Sequence, residues 1–176
     1  MSLAEKMRLG RDTNKRGNTS GRGVYVPQKQ LVVVTHELRE QFDWIATDGL
    51  ATCVGLLVIG GGGVALAHLD EDCTSFSRRI AAYVIGLISP VTAVHIVTNS
   101  NEPTTHELIN QLIGDFGVVA HGLQAKPGET LAYNLRTARG PFLSADTLDR
   151  TPAQGVPYRW ANSRELPPVN QDTRLW

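Results

Sequence analysis

The sequence holds only two cysteines, Cys53 and Cys73, among 176 residues. Two thiols do not build the disulfide framework of a small secreted domain, so reduced cysteine in a cytosolic setting is the expectation. An excess of charge is also missing. Seventeen basic residues balance seventeen acidic ones, and nothing in that balance points to nucleic acid or to a membrane surface. No apolar run approaches the roughly 18 residues of a spanning helix. The amino terminus shows no apolar stretch before a small-residue cleavage site. The expected location is therefore cytoplasmic, or outside the cell by export without a cleavable signal. Internal repeats are absent. The histidines His36, His95, His106 and His121 fall in separate elements without i, i+4 pairing, so no metal or other cofactor is expected from them.

What remains is ordinary for a globular domain, with 41% hydrophobic and 19% charged residues. The length suits a single core. Residues 1–30 are basic, rich in Gly, Ser and Asn, and poor in apolar side chains, which reads as a disordered head. Residues 31–145 carry the regular patterns. Residues 146–176 are proline-rich without strand or helix period, which reads as an irregular tail packed on the domain, with Tyr158 and Trp160 as anchors.

Within the middle, 31–38 (LVVVTHEL), 42–47 (FDWIAT), 53–59 (CVGLLVI), 64–69 (VALAHL) and 91–98 (VTAVHIVT) read as β-strands. Residues 74–88 repeat apolar positions at helical spacing and stop before Pro90. A capping box from Thr104 to Glu107 opens a second helix to Phe116. Two further strands follow, in 117–125 and 129–137. Helices interleaved with adjacent hairpins imply an α/β sandwich, a mixed β-sheet flanked by helices.

The stretch 47–70, TDGLATCVGLLVIGGGGVALAHLD, carries the chemistry. Its four glycines lack the Lys and Ser/Thr of a phosphate loop and open no helix. They read instead as the turn of a hairpin. With Ile59 opposite Val64, the register sets Gly55 opposite His68 and Asp70 opposite Cys53. Cys53, Gly55 and His68 then share one face, with cysteine and histidine as diagonal neighbours. An imidazole beside a thiol can make it a nucleophile. For an arbitrary pair at this separation, a buried apolar cysteine and a core histidine would be the default. Cys73 reads as a half-buried bystander.

Residues Thr47-Asp48-Gly49-Leu50-Ala51-Thr52-Cys53-Val54 resemble the T-x-G-L-x-[S/T]-C-V signature of the CheD chemoreceptor deamidases, which share a fold and a Cys–His site with the cytotoxic necrotizing factor toxins. Gly63 to His68 is similar to that family's G-x-x-A-H strand, and the resemblance covers about residues 31–140. It implies a CheD-like or cytotoxic necrotizing factor-like fold and a thiol-dependent protein glutamine deamidase that needs no cofactor. It further implies Cys53 as nucleophile, His68 as base and Thr47 as the residue orienting the imidazole. Asp48 and Asp70 are rival orienters, because a carboxylate stabilises imidazolium better than a hydroxyl. After its histidine the chain continues Leu69-Asp70-Glu71-Asp72, where the family has an apolar residue and then Leu-Pro. That departure points toward another substrate, such as a host protein met by a secreted bacterial effector or toxin, as readily as a chemoreceptor. The partner in either case is a protein carrying the target glutamine. Two other classes stay open. One is a metal-dependent hydrolase resembling YfiH-type proteins, using Cys53, His68 and a further histidine. The other is a non-catalytic interaction module built on the basic head and the proline-rich tail. A thiolate reacting below the free-thiol pKa of about 8.5 is what a catalytic cysteine should show and a binding module should not.

Overall fold

The computed structural model describes residues 23–36 and 42–144 and the backbone of 157–159. In chain order the elements are β1 (Gly23–Tyr25), β2 (Gln30–Thr35), β3 (Trp44–Thr47), β4 (Val54–Gly60) and β5 (Gly63–Leu69). A 3-10 turn (Glu71–Phe76) leads into α1 (Ser77–Ile88), followed by β6 (Val91–Thr98) and α2 (Pro103–Phe116). The chain then forms β7 (Ala120–Gln124), β8 (Thr130–Asn134), β9 (Arg139–Ser144) and β10 (Pro157–Arg159).

The strands make two mixed sheets. Six strands run in the order β10-β2-β5-β4-β6-β7, and four in the order β1-β3-β8-β9. Side-chain alternation explains the layering. Leu31, Val33, Leu56, Val58, Ala65, Ala67 and Leu69 point to one face of the larger sheet and pack on Ile80, Val84 and Ile88 of α1 and Leu108 and Leu112 of α2. Val32, Val34, Leu57, Val64, Leu66 and Val97 point to the other face, against Ile45 and Leu131 of the smaller sheet. Strands with both faces covered have no polar alternation, which is why their sequences read as continuous β-branched runs. The described residues form a mixed α/β architecture of two sheets and two helices, compatible with the expected sandwich. Neither helix is long and apolar enough to cross a membrane.

Several local expectations change. Residues 23–30, placed by composition in the basic head, belong to the folded body as β1 and a turn before β2. The proline-rich tail contributes β10, antiparallel to β2; Trp160 lies outside the described residues. The 74–88 helix begins as the 3-10 turn and becomes α-helical at Ser77. The Thr104–Glu107 capping box does not form. Pro103 occupies the first helical turn, Glu102 is the N-cap, and the Thr104 hydroxyl instead donates to Glu71 Oε2 at 2.8 Å.

The glycine run sets the register as expected, with Ile59 opposite Val64 and Gly55 opposite His68. Pairing continues to Gly60 and Gly63, so the connection is the dipeptide Gly61-Gly62. Close approach of backbone, more than positive φ, requires the glycines. Gly61 N–H donates to Pro90 O at 2.8 Å and Gly62 N–H to Ile88 O at 3.0 Å, binding the hairpin tip to the α1–β6 connection. A Cβ on Gly62 would stand 2.8 Å from Leu87 O and 2.9 Å from Ile88 Cα.

Opposite outcomes are expected at two glycines, measured by denaturant unfolding. Gly62→Ala should destabilise by more than about 1 kcal/mol, because the backbone it meets is tied at both ends. Gly86→Ala should stabilise by about 0.5–1 kcal/mol, since Gly86 sits on the exposed side of α1 with open space around it.

Candidate active site

Three elements converge where the two sheets face each other. His68 lies on β5 and points, like Val64 and Leu66, toward the smaller sheet. Cys53 immediately precedes β4 on the same side. Thr47 ends β3 in the opposing sheet. All three are buried. Gly55, paired with His68, has no side chain because a Cβ would lie 2.7 Å from Leu131 Cδ2 and 3.0 Å from Leu50 Cδ1. Those leucines wall the inner side of the site.

Hydrogen-bond donors fix the tautomer of His68. The Thr47 hydroxyl lies 2.6 Å from Val26 O and 2.8 Å from His68 Nδ1. Its single proton must go to the carbonyl, which can only accept, so Thr47 Oγ1 accepts from Nδ1–H. Nε2 then carries the lone pair. That nitrogen is buried and has no hydrogen-bond partner among the described residues. The Cys53 sulfur, a ring nitrogen of His68 and a carboxylate oxygen of Asp70 all fall within 4.8 Å of one another. The arrangement is a base held in its accepting form beside a thiol.

The rival carboxylates take other positions. Asp48 accepts the Tyr25 phenol at 2.8 Å. Asp70 Oδ1 accepts from the Cys53 thiol at 3.1 Å. Asp70 therefore faces the Cys53 thiol, and Thr47 engages the imidazole nitrogen that an orienting carboxylate would have used. Burial first, then the Asp70 carboxylate, pushes the Cys53 thiol up to about 12. Burial also lowers the pKa of His68, against the raising influence of Asp70 and Asp48. These shifts run against the preformed thiolate expected of a catalytic cysteine and favour a neutral thiol beside a neutral imidazole. This is the resting state of a hydroxyl nucleophile with its general base, where the proton moves only as attack begins.

Residues that the sequence did not single out complete the surroundings. Gln28 Nε2 donates to Asp70 Oδ1 at 2.7 Å and lies 3.8 Å from Cys53 Sγ. Its place in a segment of disordered composition hid it. The peptide carrying Cys53 is held from the other side. The Thr98 hydroxyl donates to Cys53 O at 3.1 Å and that of Thr105 to Thr52 O at 3.3 Å. Threonines carry such roles without any local pattern, so only the fold could reveal them.

The remaining marked residues lie elsewhere. Cys73 is buried under the helices. The parallel register of β6 and β7 sets His95 opposite His121, and their rings stack at 5.2 Å. A cavity of about 320 Å³ opens between α2, β6 and β7, sharing Thr98 with the cysteine peptide and lined by apolar residues (Ile96, Ile109, Ile113 and Leu123) together with polar ones (Ser100, Asn101, His106 and Gln124). Among the described residues, the group able to hold a metal ion is Cys53, His68 and Asp70, without the further histidine of the YfiH-like alternative. No family model and no curated protein matches the chain.

Two pH effects follow from the buried neutral groups. Alkylation of Cys53, followed by peptide mapping, should be slow near neutrality and rise only at strongly alkaline pH; Asp70→Asn should move the profile to lower pH by removing the charge beside the sulfur. A wild-type midpoint below about 8.5 would contradict this. His68 has a folded pKa below its unfolded 6.5, so its contribution is present above that value and lost as pH falls below it. In that window the unfolded chain binds a proton that the buried ring refuses. His68→Gln should flatten this part of the stability profile.

Proposed function

We propose that the chain is a thiol-dependent protein glutamine deamidase. The observation that carries this reading is the Thr47–His68 hydrogen bond, which leaves a buried Nε2 lone pair with no partner among the described residues, on a ring that has a nitrogen within 4.8 Å of the Cys53 sulfur. As a glutamine carboxamide enters, Nε2 removes the Cys53 proton and sulfur attacks the amide carbon. The carbonyl π pair moves to oxygen, and the backbone N–H groups of residues 48–53 are the candidate donors for that oxyanion. Imidazolium Nε2–H protonates the leaving nitrogen, the C–N bond breaks, and ammonia departs from a thioester. Nε2 then takes a proton from water, hydroxide adds to the thioester carbon, and the C–S bond breaks. The sulfur recovers its proton from the imidazolium, and the product is glutamate. The Thr47 hydroxyl keeps accepting from Nδ1–H throughout and so fixes which nitrogen exchanges protons. The resemblance of the 47–54 segment to the CheD and necrotizing factor families supports the same assignment. The divergent Leu69-Asp70-Glu71-Asp72 leaves two substrate sources within this reading, a chemoreceptor or a host protein met by an exported effector.

A second reading is favoured by one observation, the compact Cys53, His68 and Asp70 group. Thiolate, imidazole and carboxylate suit zinc in a three-ligand site with an open position, which would supply an activated water for hydrolysis. Chelator treatment followed by an ammonia-release assay separates the readings: the deamidase reading expects activity to persist, and the metal reading expects its loss.

The direct test incubates protein extracts with wild type and variants, then maps glutamines that gain about one dalton on conversion to glutamate. Cys53→Ala and His68→Ala should each lower the rate by at least about a thousandfold. Thr47→Val should lower it by about a hundredfold through misorientation of the ring, and Thr47→Ser should retain most of it. Full ammonia release by Cys53→Ala would end this reading.

A further inference from the structure

The sulfur of Cys53 already has a carboxamide beside it. Gln28 is solvent-exposed, yet its side chain turns inward so that its NH₂ group meets Asp70 Oδ1 at 2.7 Å and stands 3.8 Å from Cys53 Sγ. Asp70 as a carboxylate can only accept, so the edge presented to it must be N–H. We propose that the ledge between Asp70 and Cys53 is a primary-carboxamide subsite, occupied in this structure by Gln28 acting as a placeholder in cis.

The turn carrying Gln28 is built to hold it there. Residues Pro27 to Gln30 close on a hydrogen bond from Gln30 N to Pro27 O at 3.2 Å. Lys29, third in the turn, has φ of 58°, a left-handed conformation that side chains other than glycine adopt only at a cost. Contacts to the site hold it in place. Lys29 N–H donates to His68 O at 2.9 Å, and Lys29 Nζ lies 2.8 Å from Asp72 Oδ2 and 3.4 Å from Asp70 Oδ2. The residues next to Gln28 are thus tied to the strand carrying the base and to the aspartate facing the nucleophile. The lysine takes one oxygen of Asp70 and leaves the other for an amide N–H. Such an aspartate selects chemically. It accepts from the NH₂ of a glutamine side chain and repels the carboxylate formed when that side chain is hydrolysed, so substrate is held and product is expelled. Gln28 sits at the surface and can be displaced by a competing glutamine without disturbing the core.

This subsite rests on the deamidase reading for its natural ligand, but its test does not need the natural substrate. Iodoacetamide carries the primary carboxamide, and its N,N-dimethyl analogue is equally neutral but has no N–H to offer. The rate of Cys53 alkylation by each is measured on the full chain by peptide mapping, for wild type, Gln28→Ala and Asp70→Asn. The rate ratio of iodoacetamide to the dimethyl reagent should fall about tenfold in Asp70→Asn relative to wild type, the equivalent of one hydrogen bond to a charged acceptor. Comparing the ratio cancels the change in thiol acidity that the same substitution brings. Gln28→Ala should keep the ratio high and raise the iodoacetamide rate several-fold by vacating the subsite. An unchanged ratio in Asp70→Asn overturns the subsite, and an unchanged rate in Gln28→Ala overturns the placeholder. Failure of the two readings is distinguishable. A carboxamide preference without glutamine conversion keeps the subsite and removes the deamidase; conversion without the preference does the reverse.

Discussion

One hydrogen bond, from His68 Nδ1 to Thr47 Oγ1, joins the two sheets at the point where the proposed chemistry occurs. It works only because the threonine's own proton is already committed to Val26 O. A hydroxyl with a free proton could donate to the ring as readily as accept from it, and the tautomer would be undefined. Much of the surrounding fold serves this geometry. The residues after β1 bring the Val26 carbonyl, β3 brings Thr47, and the β4–β5 hairpin brings His68 and the cysteine onto the facing side. The glycine tip fixes the hairpin register and is itself tied to the α1–β6 connection, so a slip of one residue is opposed at both ends.

The electrostatics of the site lean toward neutrality. Burial disfavours both the thiolate and the imidazolium, and the Asp70 carboxylate adds to the cost of the thiolate. A pair kept neutral at rest is not thereby inert. Proton transfer from sulfur to Nε2 creates opposite charges side by side, whose attraction is larger in a water-poor site than in solvent. Asp70 has opposing effects within the proposed mechanism: it makes the free thiol a poorer acid, yet it stabilises an adjacent imidazolium and offers an acceptor to an amide N–H. Entry of a ligand that takes over the Asp70 oxygen would release the thiol toward the imidazole. Substrate binding and nucleophile activation would then be one event.

Much of this was legible in the chain. Continuous β-branched runs marked the central strands, apolar spacing marked the two described helices, and the four glycines with Ile59 and Val64 defined a register that the structure reproduces to the residue. Period-2 geometry converted that register into a shared face for Cys53 and His68, and resemblance added Thr47. Less was legible at the edges. β1 and β10 are three-residue strands, too short for any period to register, and their surrounding composition suggested a disordered head and an irregular tail. The Thr104–Glu107 motif had the right letters for a capping box, but Glu71 lay within reach of the Thr104 hydroxyl in the folded chain.

The sequence by itself determined the local order: which segments are strands, where the hairpin turns, and which face the cysteine and histidine share. These depend on neighbours within one element or one turn, and side-chain period carries them. Only the tertiary structure decided which groups meet that face from elsewhere. Asp70 turns to the sulfur instead of the imidazole, Gln28 arrives from a turn 25 residues upstream of Cys53, and Thr98 and Thr105 hold the cysteine peptide from β6 and α2. The acidity of the thiol was likewise invisible in sequence. It is set by exclusion of water and by a carboxylate at 3.1 Å, both products of packing two sheets together and of no residue's own chemistry.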